Sequence, residues 1–353
     1  MKILLVEDSS KTKNGGGQMM SSLISEYLKK RCQRIFYVDF SDNNRISKYL
    51  NKNDGFFFIK RQSNLVLFIY NFLTLYFLLR KWAPDIIYCT TKKALFIGVL
   101  LSRLLNIKIV YHAHIGLKND FINNIFNKIL SRLDLCICVS SYVYEQLTTV
   151  GCRNLKLLEN PLLNEIAHVS RRLDGDKIKI GFAGSILPTK GIEFLLKSFV
   201  LLNPDKYELN IFGEGLLLYK LRELYEKRSN INFFGQVDDL ENHLDTHTDI
   251  FILPSTIPES SSLVLRQAIS RAIPVITTNM GGQRLCVETN FNGILIDALD
   301  SIILCNGIKA IVDNYEMMSK NCLIFAEKFI EIDFYMESFI EIIKSVNENT
   351  ATR

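Results

Sequence analysis

The sequence predicts an α/β protein built from two doubly wound domains. The chain has 353 residues, more than a single hydrophobic core usually organises. Short apolar or β-branched runs alternate with longer helical patterns in two successive series, which is typical of parallel sheets covered by helices. Charged residues make up 22% and hydrophobic residues 48% of the chain, a composition that suits a folded protein and argues against disorder.

The two series predict the strands and the domain limits. In the first series the predicted strands are Lys2–Val6, Ile35–Asp39, Ile86–Cys89, Ile107–His112, Cys136–Val139 and Leu155–Leu158. In the second they are Ile178–Ala183, Glu208–Phe212, Ile231–Phe234, Ile250–Leu253, Val275–Thr277 and Gly293–Ile296. We therefore expect domains at 1–165 and 166–335, joined by a linker at 160–177. Residues 336–353 are expected to form a helix that packs back on the first domain, followed by a tail.

The charge is distributed unevenly. Up to Glu165 the chain has 23 Lys and Arg against 12 Asp and Glu, whereas the remainder has 19 against 25. A basic first half is expected to meet an anionic partner, such as a membrane surface or a phosphorylated acceptor. Nucleic acid is the least favoured partner, because no motif that reads nucleic acid accompanies the charge, and we expect none.

The most apolar stretch, 65–79, is followed by Arg80-Lys81-Trp82. It falls short of the roughly 20 residues needed to span a bilayer. Burial of the helix against a sheet is the favoured interpretation, and the alternative is a basic, aromatic end that rests on a membrane. With Lys60-Arg61 and Lys92-Lys93, this end predicts attachment to anionic membranes that high salt reverses.

Cysteines and acidic residues suggest neither a metal site nor a disulfide framework. None of the eight cysteines forms a C-x-x-C pair, and most lie in apolar runs, so reduced core thiols are expected. Asp174-Gly175-Asp176, the only D-x-D motif, precedes a strand rather than ending one. The first strand reaches Glu7-Asp8 too soon for a signal peptide. We expect a cytoplasmic protein without a metal or other cofactor, with peripheral attachment at the inner membrane as a further expectation.

Glycine-rich turns follow the first strand of each series. Asn14-Gly15-Gly16-Gly17-Gln18 precedes a helix, where free backbone N–H groups and the helix dipole favour a phosphate or diphosphate. The second turn, 184–191, ends in Lys190-Gly191, and its lysine can place a point charge on a phosphate. Two further strand ends, at Gly213 and at Gly235-Gln236-Val237, would let the backbone approach a flat ring.

The segment 254–268 carries the most information. Glu259 follows a strand, and Gln267 lies eight positions later, about two helical turns on, so both side chains can face one ligand. The serines before Leu263 offer N–H groups at a helix N-terminus. In the first half, Tyr111-His112-Ala113-His114 ends a predicted strand with two histidines.

The order of these motifs resembles that of GT-B-fold glycosyltransferases of family 4, a retaining family that uses nucleotide sugars without a metal. The resemblance spans nearly the whole chain and implies two Rossmann-like domains that face each other across a cleft. It rests on four features: the N-terminal Gly-Gly turn, Pro84-Asp85-Ile86-Ile87, the G-x-x-x-x-x-K-G turn, and the E-x7-E region with its A-x-x-x-x-x-P-V continuation.

The resemblance implies a role for each matching residue. Gly16 and Gly17 would face the diphosphate, and Lys190 would neutralise it as it leaves. Glu259 and His114 would face the donor sugar from opposite domains as the catalytic pair.

Further donor-binding roles follow from the same resemblance. The backbone at Ser261, Ser262 and Leu263 would cradle sugar or phosphate. Gln267 stands where the family usually holds the ribose hydroxyls with a glutamate. Ser185, Gly213 and Val237 complete the expected donor-binding set.

Three positions depart from the family pattern. Ser185 replaces an arginine that grips phosphate, Gln267 replaces the second glutamate, and Leu285 replaces a further glutamate. Glutamine can still hydrogen-bond a ribose, whereas serine cannot replace a bidentate arginine. Arg266 or Arg284 would have to compensate from another direction.

The expected function is transfer of a sugar from a nucleoside-diphosphate sugar to a lipid-linked or saccharide acceptor, as in assembly of lipopolysaccharide, O-antigen or capsule. The alternative is a catalytically silent homologue that acts as a binding subunit of a polysaccharide-assembly complex. The three departures favour that alternative, whereas the intact Glu259, Lys190 and Gly15–Gly17 oppose it.

Overall fold

The chain folds as two compact units. The computed structural model describes residues 1–7, 16–31, 34–39, 55–58, 65–114 and 121–348. One unit consists of Met1–Glu159 together with Asp333–Arg353, and the other of Asn160–Ile332. The boundary therefore falls a few residues before the predicted limit at 165. The segment that returns to the first unit begins at residue 333 rather than at 336.

The first unit contains a seven-stranded parallel sheet in the order β3-β2-β1-β4-β5-β6-β7. Its strands are β1 Lys2–Glu7, β2 Arg34–Asp39, β3 Gly55–Phe58, β4 Ile86–Cys89, β5 Lys108–Ala113, β6 Leu135–Cys138 and β7 Leu155–Leu157. The edge strand β3 is additional to the strands predicted above. The strand order reverses direction beside β1, so the sheet is doubly wound as expected.

Helices cover both faces of this sheet. They are α1 Gly16–Lys30, α2 Leu65–Trp82, α3 Lys92–Leu105, α4 Phe121–Leu130, α5 Ser141–Thr149 and, from the far end of the chain, α12 Ile332–Glu348. Buried residues of α2, α3, α4 and α5 form one cluster with Leu4, Val6, Ile87 and Cys89 of the sheet. Helices α1 and α12 share a surface ion pair between Arg31 and Glu337, and Phe339 of α12 packs against Tyr88 of β4.

Helix α2 is buried against the sheet on one side, as the favoured interpretation expects, and is exposed on the other side. Leu75 and Leu79 are fully buried against the sheet, and Phe68, Phe72 and Trp82 pack partly beside them. The opposite side of the helix is exposed although it is apolar. The sequence 65–79 has almost no polar residue to mark a solvent face, so its pattern could not show this asymmetry. No helix in the described ranges is long and apolar enough to cross a membrane.

The second unit contains a six-stranded parallel sheet in the order β10-β9-β8-β11-β12-β13. Its strands are β8 Ile178–Ala183, β9 Tyr207–Phe212, β10 Ile231–Gly235, β11 Ile250–Leu253, β12 Val275–Thr278 and β13 Gly293–Ile296. The helices are α6 Ile192–Phe199, α7 Leu218–Leu224, α8 Leu240–His247, α9 Leu263–Ser270, α10 Ser301–Asp313 and α11 Tyr315–Ala326. This architecture confirms the predicted α/β class.

Residues 160–177 were expected to be a linker, and this expectation is wrong. The segment belongs to the second unit, where the N–H of Ala167 donates to the carbonyl of Ser270 over 2.8 Å. The guanidinium of Arg171 donates to the carbonyls of Thr248 at 2.7 Å and Leu244 at 3.3 Å, and to Asp245 Oδ1 at 2.6 Å. Hydrogen bonds rather than apolar periodicity fix this segment, so its composition alone resembles that of a linker.

Replacing Arg171 with methionine should lower the free energy of unfolding of the second unit by about 2 kcal/mol, because the carbonyls of Leu244 and Thr248 lose this donor and Asp245 loses one of its two arginine partners. Arg172→Met is the matched control. The Arg172 side chain is 77% exposed and its ion pair with Glu316 spans 3.6 Å, so the expected loss is about 0.5 kcal/mol or less. Urea denaturation of both variants measures the difference. Equal losses would contradict the anchoring role of Arg171.

Candidate active site

The carboxyl edge of the first sheet brings Gly17 and His114 together. Helix α1 begins at Gly16, so the glycine turn leads directly into a helix N-terminus as expected, while Gly15 lies outside the described residues. A Cβ added at Gly17 would lie 3.2 Å from Cβ of His114, the residue that follows β5. The predicted phosphate turn and the predicted catalytic histidine are therefore neighbours, which their spacing along the chain could not show.

His114 belongs to a buried group of rings. Its ring centroid lies 4.1 Å from that of His112, and Nδ1 of His112 lies 2.6 Å from the hydroxyl of Tyr88. Burial lowers the pKa of His114 to about 4 and holds the pKa of His112 well below its usual range, with the neighbouring His114 adding to the latter shift. Both imidazoles are therefore neutral near pH 7. Nε2 of each ring is buried and has no hydrogen-bond partner among the described residues.

The carboxyl edge of the second sheet brings Lys190 and Glu259 together. Nζ of Lys190 lies 2.9 Å from Oε1 of Glu259, and these side chains are 28% and 13% exposed. Lys190 ends a short 3-10 helix, Pro188–Lys190, in the turn between β8 and α6. The turn is tied to the loop after β11 by a hydrogen bond from Thr256 N–H to the carbonyl of Thr189 at 3.0 Å. The structure therefore pairs two residues that the sequence placed in one site.

A network of hydrogen bonds fixes both the side chain and the backbone N–H of Glu259. The hydroxyl of Ser255 donates to Oε1 of Glu259. The N–H of Glu259 donates to Oε1 of Gln283 at 2.7 Å, and Nε2 of Gln283 donates to the hydroxyl of Thr278 at 2.9 Å. That hydroxyl donates in turn to the carbonyl of Ser255 at 2.8 Å. Gln283 and Thr278 were not among the predicted site residues, because nothing in the local pattern reveals a contact between segments this far apart.

Two glycines let these loops approach closely. Gly191 adopts a φ of 70°, and a Cβ there would lie 1.8 Å from the carbonyl oxygen of Pro254, at the end of β11. A Cβ on Gly282 would lie 2.1 Å from the carbonyl oxygen of Ser260, and the N–H of Gly282 donates to the carbonyl of Glu259 at 2.6 Å. Any side chain at either position would push the Lys190 turn or the Glu259 loop away.

Helix α9 begins beside Glu259, at Leu263, with Ser262 as its N-terminal cap residue. The hydroxyls of Ser261 and Ser262 are buried, and neither has a hydrogen-bond partner among the described residues. This leaves polar groups at a helix N-terminus where the sequence predicted a ligand cradle. Gln267 lies on the same helix and is 9% exposed, which is more buried than a side chain that simply faces water.

The remaining predicted donor residues, Ser185, Gly213 and Val237, follow strands β8, β9 and β10 of the second sheet. Ser185 follows β8, and its carbonyl accepts from the N–H of Leu187 at 2.8 Å. The N–H of Gly213 donates to the carbonyl of Gly235 at 2.6 Å. Val237 packs partly against the core of the second unit, which gives its side chain a structural contact.

The two arginines considered as substitutes for the missing family arginine differ in burial. Arg266 is buried on α9, with its guanidinium 4.7 Å from the centre of the Phe329 ring. Arg284 is exposed, as is the neighbouring Leu285. In the part of the chain that the structure describes, no three His, Cys, Asp or Glu side chains are placed to hold a metal ion.

Two parallel, doubly wound sheets with polar side chains gathered at the carboxyl edge of each define the two-domain Rossmann-like class of enzymes. Residues 14–161 match the family model described as Glycosyltransferase Family 4, and residues 164–323 match the model described as Glycosyl transferases group 1. The chain belongs with the GT-B-fold glycosyltransferases of the family 4 type, as the motif order predicted.

Curated relatives and solved structures agree with this assignment. The chain is 26% identical over 350 residues to the O-antigen biosynthesis glycosyltransferase WbnH of Escherichia coli, covering 95% of this chain and 97% of the relative. It is 24% identical over 313 residues to the E. coli UDP-Gal:alpha-D-GlcNAc-diphosphoundecaprenol alpha-1,3-galactosyltransferase, covering 78% and 80% of the two chains.

Similar folds extend over the full chain. HepE from Anabaena, crystallised in complex with UDP, has a TM-score of 0.81 and 20% identity, over 98% of this chain and 100% of that chain. A glycosyltransferase from Rickettsia africae has a TM-score of 0.79 and 17% identity, over 99% of both chains. These likenesses confirm the GT-B fold.

Gln283→Leu should lower kcat by about 10- to 100-fold with little change in the KM for the donor, because the Glu259 loop loses the acceptor that fixes its N–H. Gln283→Glu retains that acceptor and should restore part of kcat, which a loss of packing alone would not explain. The control is Leu285→Ala, at an exposed position on the same short helix. Steady-state kinetics measure kcat and KM for each variant. Equal kcat values in Gln283→Leu and the parent would contradict the positioning role of Gln283.

Proposed function

We propose that this protein transfers a sugar from a nucleoside-diphosphate sugar to an acceptor hydroxyl, with retention at the anomeric carbon and without a metal ion. We propose further that it does so in assembly of O-antigen, lipopolysaccharide or capsule, on a lipid-linked acceptor at the cytoplasmic face of the inner membrane. Two E. coli relatives support this choice: one is named for O-antigen biosynthesis, and the other for transfer from UDP-Gal to a sugar on diphosphoundecaprenol.

The observation that carries the proposal is the contact between Lys190 and Glu259. A diphosphate leaving group needs a cation or an array of N–H donors to stabilise the charge that develops on it. Lys190 supplies the cation, and the helix N-terminus at Leu263 supplies N–H groups beside it. The carboxylate of Glu259, held by the Ser255 hydroxyl, is placed to accept hydrogen bonds from sugar hydroxyls.

In the proposed reaction the bond between the anomeric carbon and the diphosphate oxygen breaks, and the acceptor oxygen bonds to that carbon on the same face. The acceptor proton passes to the departing diphosphate, so no other base is required. The neutral imidazole of His114, with Nε2 buried and unpartnered among the described residues, suits a hydrogen bond to a hydroxyl of the donor sugar.

The catalytically silent alternative is favoured by the three departures from the family pattern, at Ser185, Gln267 and Leu285. It shares the nucleotide site with the proposed function, so nucleotide binding does not separate the two. Incubation with a panel of nucleotide sugars does, because an active transferase releases the nucleoside diphosphate by slow hydrolysis even without an acceptor. Release that disappears in Glu259→Gln supports the enzyme, and its absence for every donor that stabilises the fold supports the silent homologue.

Lys190→Ala should weaken the binding of a nucleoside diphosphate by about 1.5–3 kcal/mol, the scale of a charge-assisted hydrogen bond. UDP is the first ligand to test, and titration calorimetry gives its Kd. Lys197→Ala, at an exposed position on α6, removes the same charge outside the proposed site and should leave the Kd unchanged. If both variants bind UDP as the parent does, Lys190 is not part of the nucleotide site.

Glu259→Gln should lower kcat by about a hundredfold or more without weakening nucleotide binding. Nucleotide affinity should not fall, because loss of the carboxylate frees Lys190 to attract the anionic diphosphate.

His114→Ala should also lower kcat by about a hundredfold or more without weakening nucleotide binding. Because burial lowers the pKa of His114 to about 4, its charge does not change near pH 6.5, and the parent's kcat should show no step there from this residue. The exposed Glu288→Gln is the control, and parental kcat in either active-site variant would refute its assigned role.

A further inference from the structure

The outward side of helix α2 is an exposed apolar stripe. Val66, Tyr70, Leu73 and Phe77 follow each other at intervals of three or four residues and are 76%, 66%, 48% and 63% exposed. This spacing places them on one side of the helix, opposite the buried Leu75 and Leu79. Exposed apolar residues scattered singly are ordinary, but a continuous stripe of large side chains marks a surface that contacts something other than water.

The neighbouring helix α3 extends this surface. It packs in the same hydrophobic cluster on the same face of the first sheet, and its Leu100 and Leu104 are 47% and 51% exposed. We call the exposed apolar residues of these two helices the α2–α3 surface. Both helices belong to the first unit, so the surface is complete within one compact body.

All the charges on these two helices are positive. Arg80 and Lys81 are exposed in the last turn of α2, and Lys93 and Arg103 are exposed at the two ends of α3. Neither helix contains an aspartate or a glutamate. A self-complementary contact between two copies of this surface would bring Arg80, Lys81 and Arg103 of one copy near the same cations of the other, and neither helix contributes an acid to that contact. An anionic bilayer offers apolar chains to the stripe and negative headgroups to its basic ends.

We propose that the α2–α3 surface docks this protein on an anionic lipid bilayer, with α2 lying in the headgroup region rather than crossing the membrane. Insertion of apolar side chains provides much of the attachment, and the basic residues select anionic lipid. This differs from attachment by charge alone, which salt would reverse completely. The inference rests on the proposed function in one respect: a lipid-linked acceptor gives the enzyme a reason to be at the membrane.

The first turn of α2 lies at the same edge of the first sheet as the group formed by Gly17 and His114. Because α2 leads into β4, it runs antiparallel to the strands, and its first turn is at the carboxyl edge of the sheet. That is the edge at which Gly17 and His114 meet. A bilayer along α2 would therefore present a lipid-linked acceptor beside this edge.

The reporter for the test has to lie on the stripe, and Trp82, the only tryptophan, lies on the buried side of α2 against Phe36. We therefore use Phe77→Trp in a chain that also carries Trp82→Phe. Phosphatidylglycerol with brominated acyl chains quenches tryptophan that approaches the bilayer interior. We expect vesicles containing this lipid to quench the tryptophan at position 77, and vesicles of brominated phosphatidylcholine alone to quench it much less.

Two sets of variants separate the apolar from the charged contribution in vesicle co-sedimentation. Leu73→Ser with Phe77→Ser should weaken binding to phosphatidylglycerol vesicles by about tenfold or more, and the loss should persist at high salt. Arg80→Gln with Lys81→Gln should reduce the preference for phosphatidylglycerol over phosphatidylcholine by a similar factor. The matched control is Ile302→Ser with Met317→Ser, which removes two comparably exposed apolar side chains from helices of the second unit. It should bind as the parent does.

Three results would overturn the proposal: a parent chain that does not sediment with vesicles while the Phe77→Trp reporter shows no quenching, a stripe variant that binds as the parent does, and a parent that self-associates through the stripe. Sedimentation velocity identifies the last case, in which the Leu73 and Phe77 changes would dissociate a dimer. Transfer to a water-soluble acceptor is measured separately. If that transfer persists while vesicle binding fails, the docking surface is wrong and the proposed function stands. If vesicle binding persists while transfer fails with every donor and acceptor tested, the docking surface is supported and the proposed function is refuted.

Discussion

The ion pair between Lys190 and Glu259 is the interaction on which the edge of the second sheet depends. The two residues come from separate loops, and each is too buried to carry an uncompensated charge without a cost. The pair therefore holds both loops in place, and Gly191 and Gly282 allow the backbones to approach closely enough for it to form. The same ammonium is the group that the proposed function assigns to the diphosphate, so in that proposal the donor would compete with Glu259 for Lys190.

The first sheet supports its polar edge by a different physical means. There burial keeps two histidines neutral, and the Tyr88 hydroxyl fixes the orientation of His112, against which His114 packs. A neutral ring forms directional hydrogen bonds without drawing a counterion into the site. The first unit thus presents uncharged hydrogen-bonding groups at its sheet edge, whereas the second presents a charged pair.

The sequence was sufficient for every strand except the edge strand β3, and for the placement of the glycine turns, because apolar runs and strand-to-helix turns are local features. It was not sufficient where the determining contact is distant. Gln283 touches Glu259 from another loop, and Arg171 fixes a segment of linker-like composition through acceptors on α8 and the loop after it. For helix α2 the sequence predicted burial against the sheet but not which side would be exposed, because a segment that is apolar all round has no polar face to mark that side. Only the packing of Leu75 against the sheet determines that side.

The return of the chain to its first unit links the end of the sequence to the histidine group. Phe339 of α12 packs edge-on against Tyr88, with 5.4 Å between ring centroids, and stacks near His112 at 6.2 Å. Water reaching these rings would raise the pKa of the histidines towards the ordinary value and loosen the contact between Tyr88 and His112. The last helix is therefore part of what keeps His112 neutral, although it lies more than two hundred residues away along the chain. The dependence of a polar edge on an apolar cover explains why α12 buries its aromatic residues against this sheet and not within the second unit.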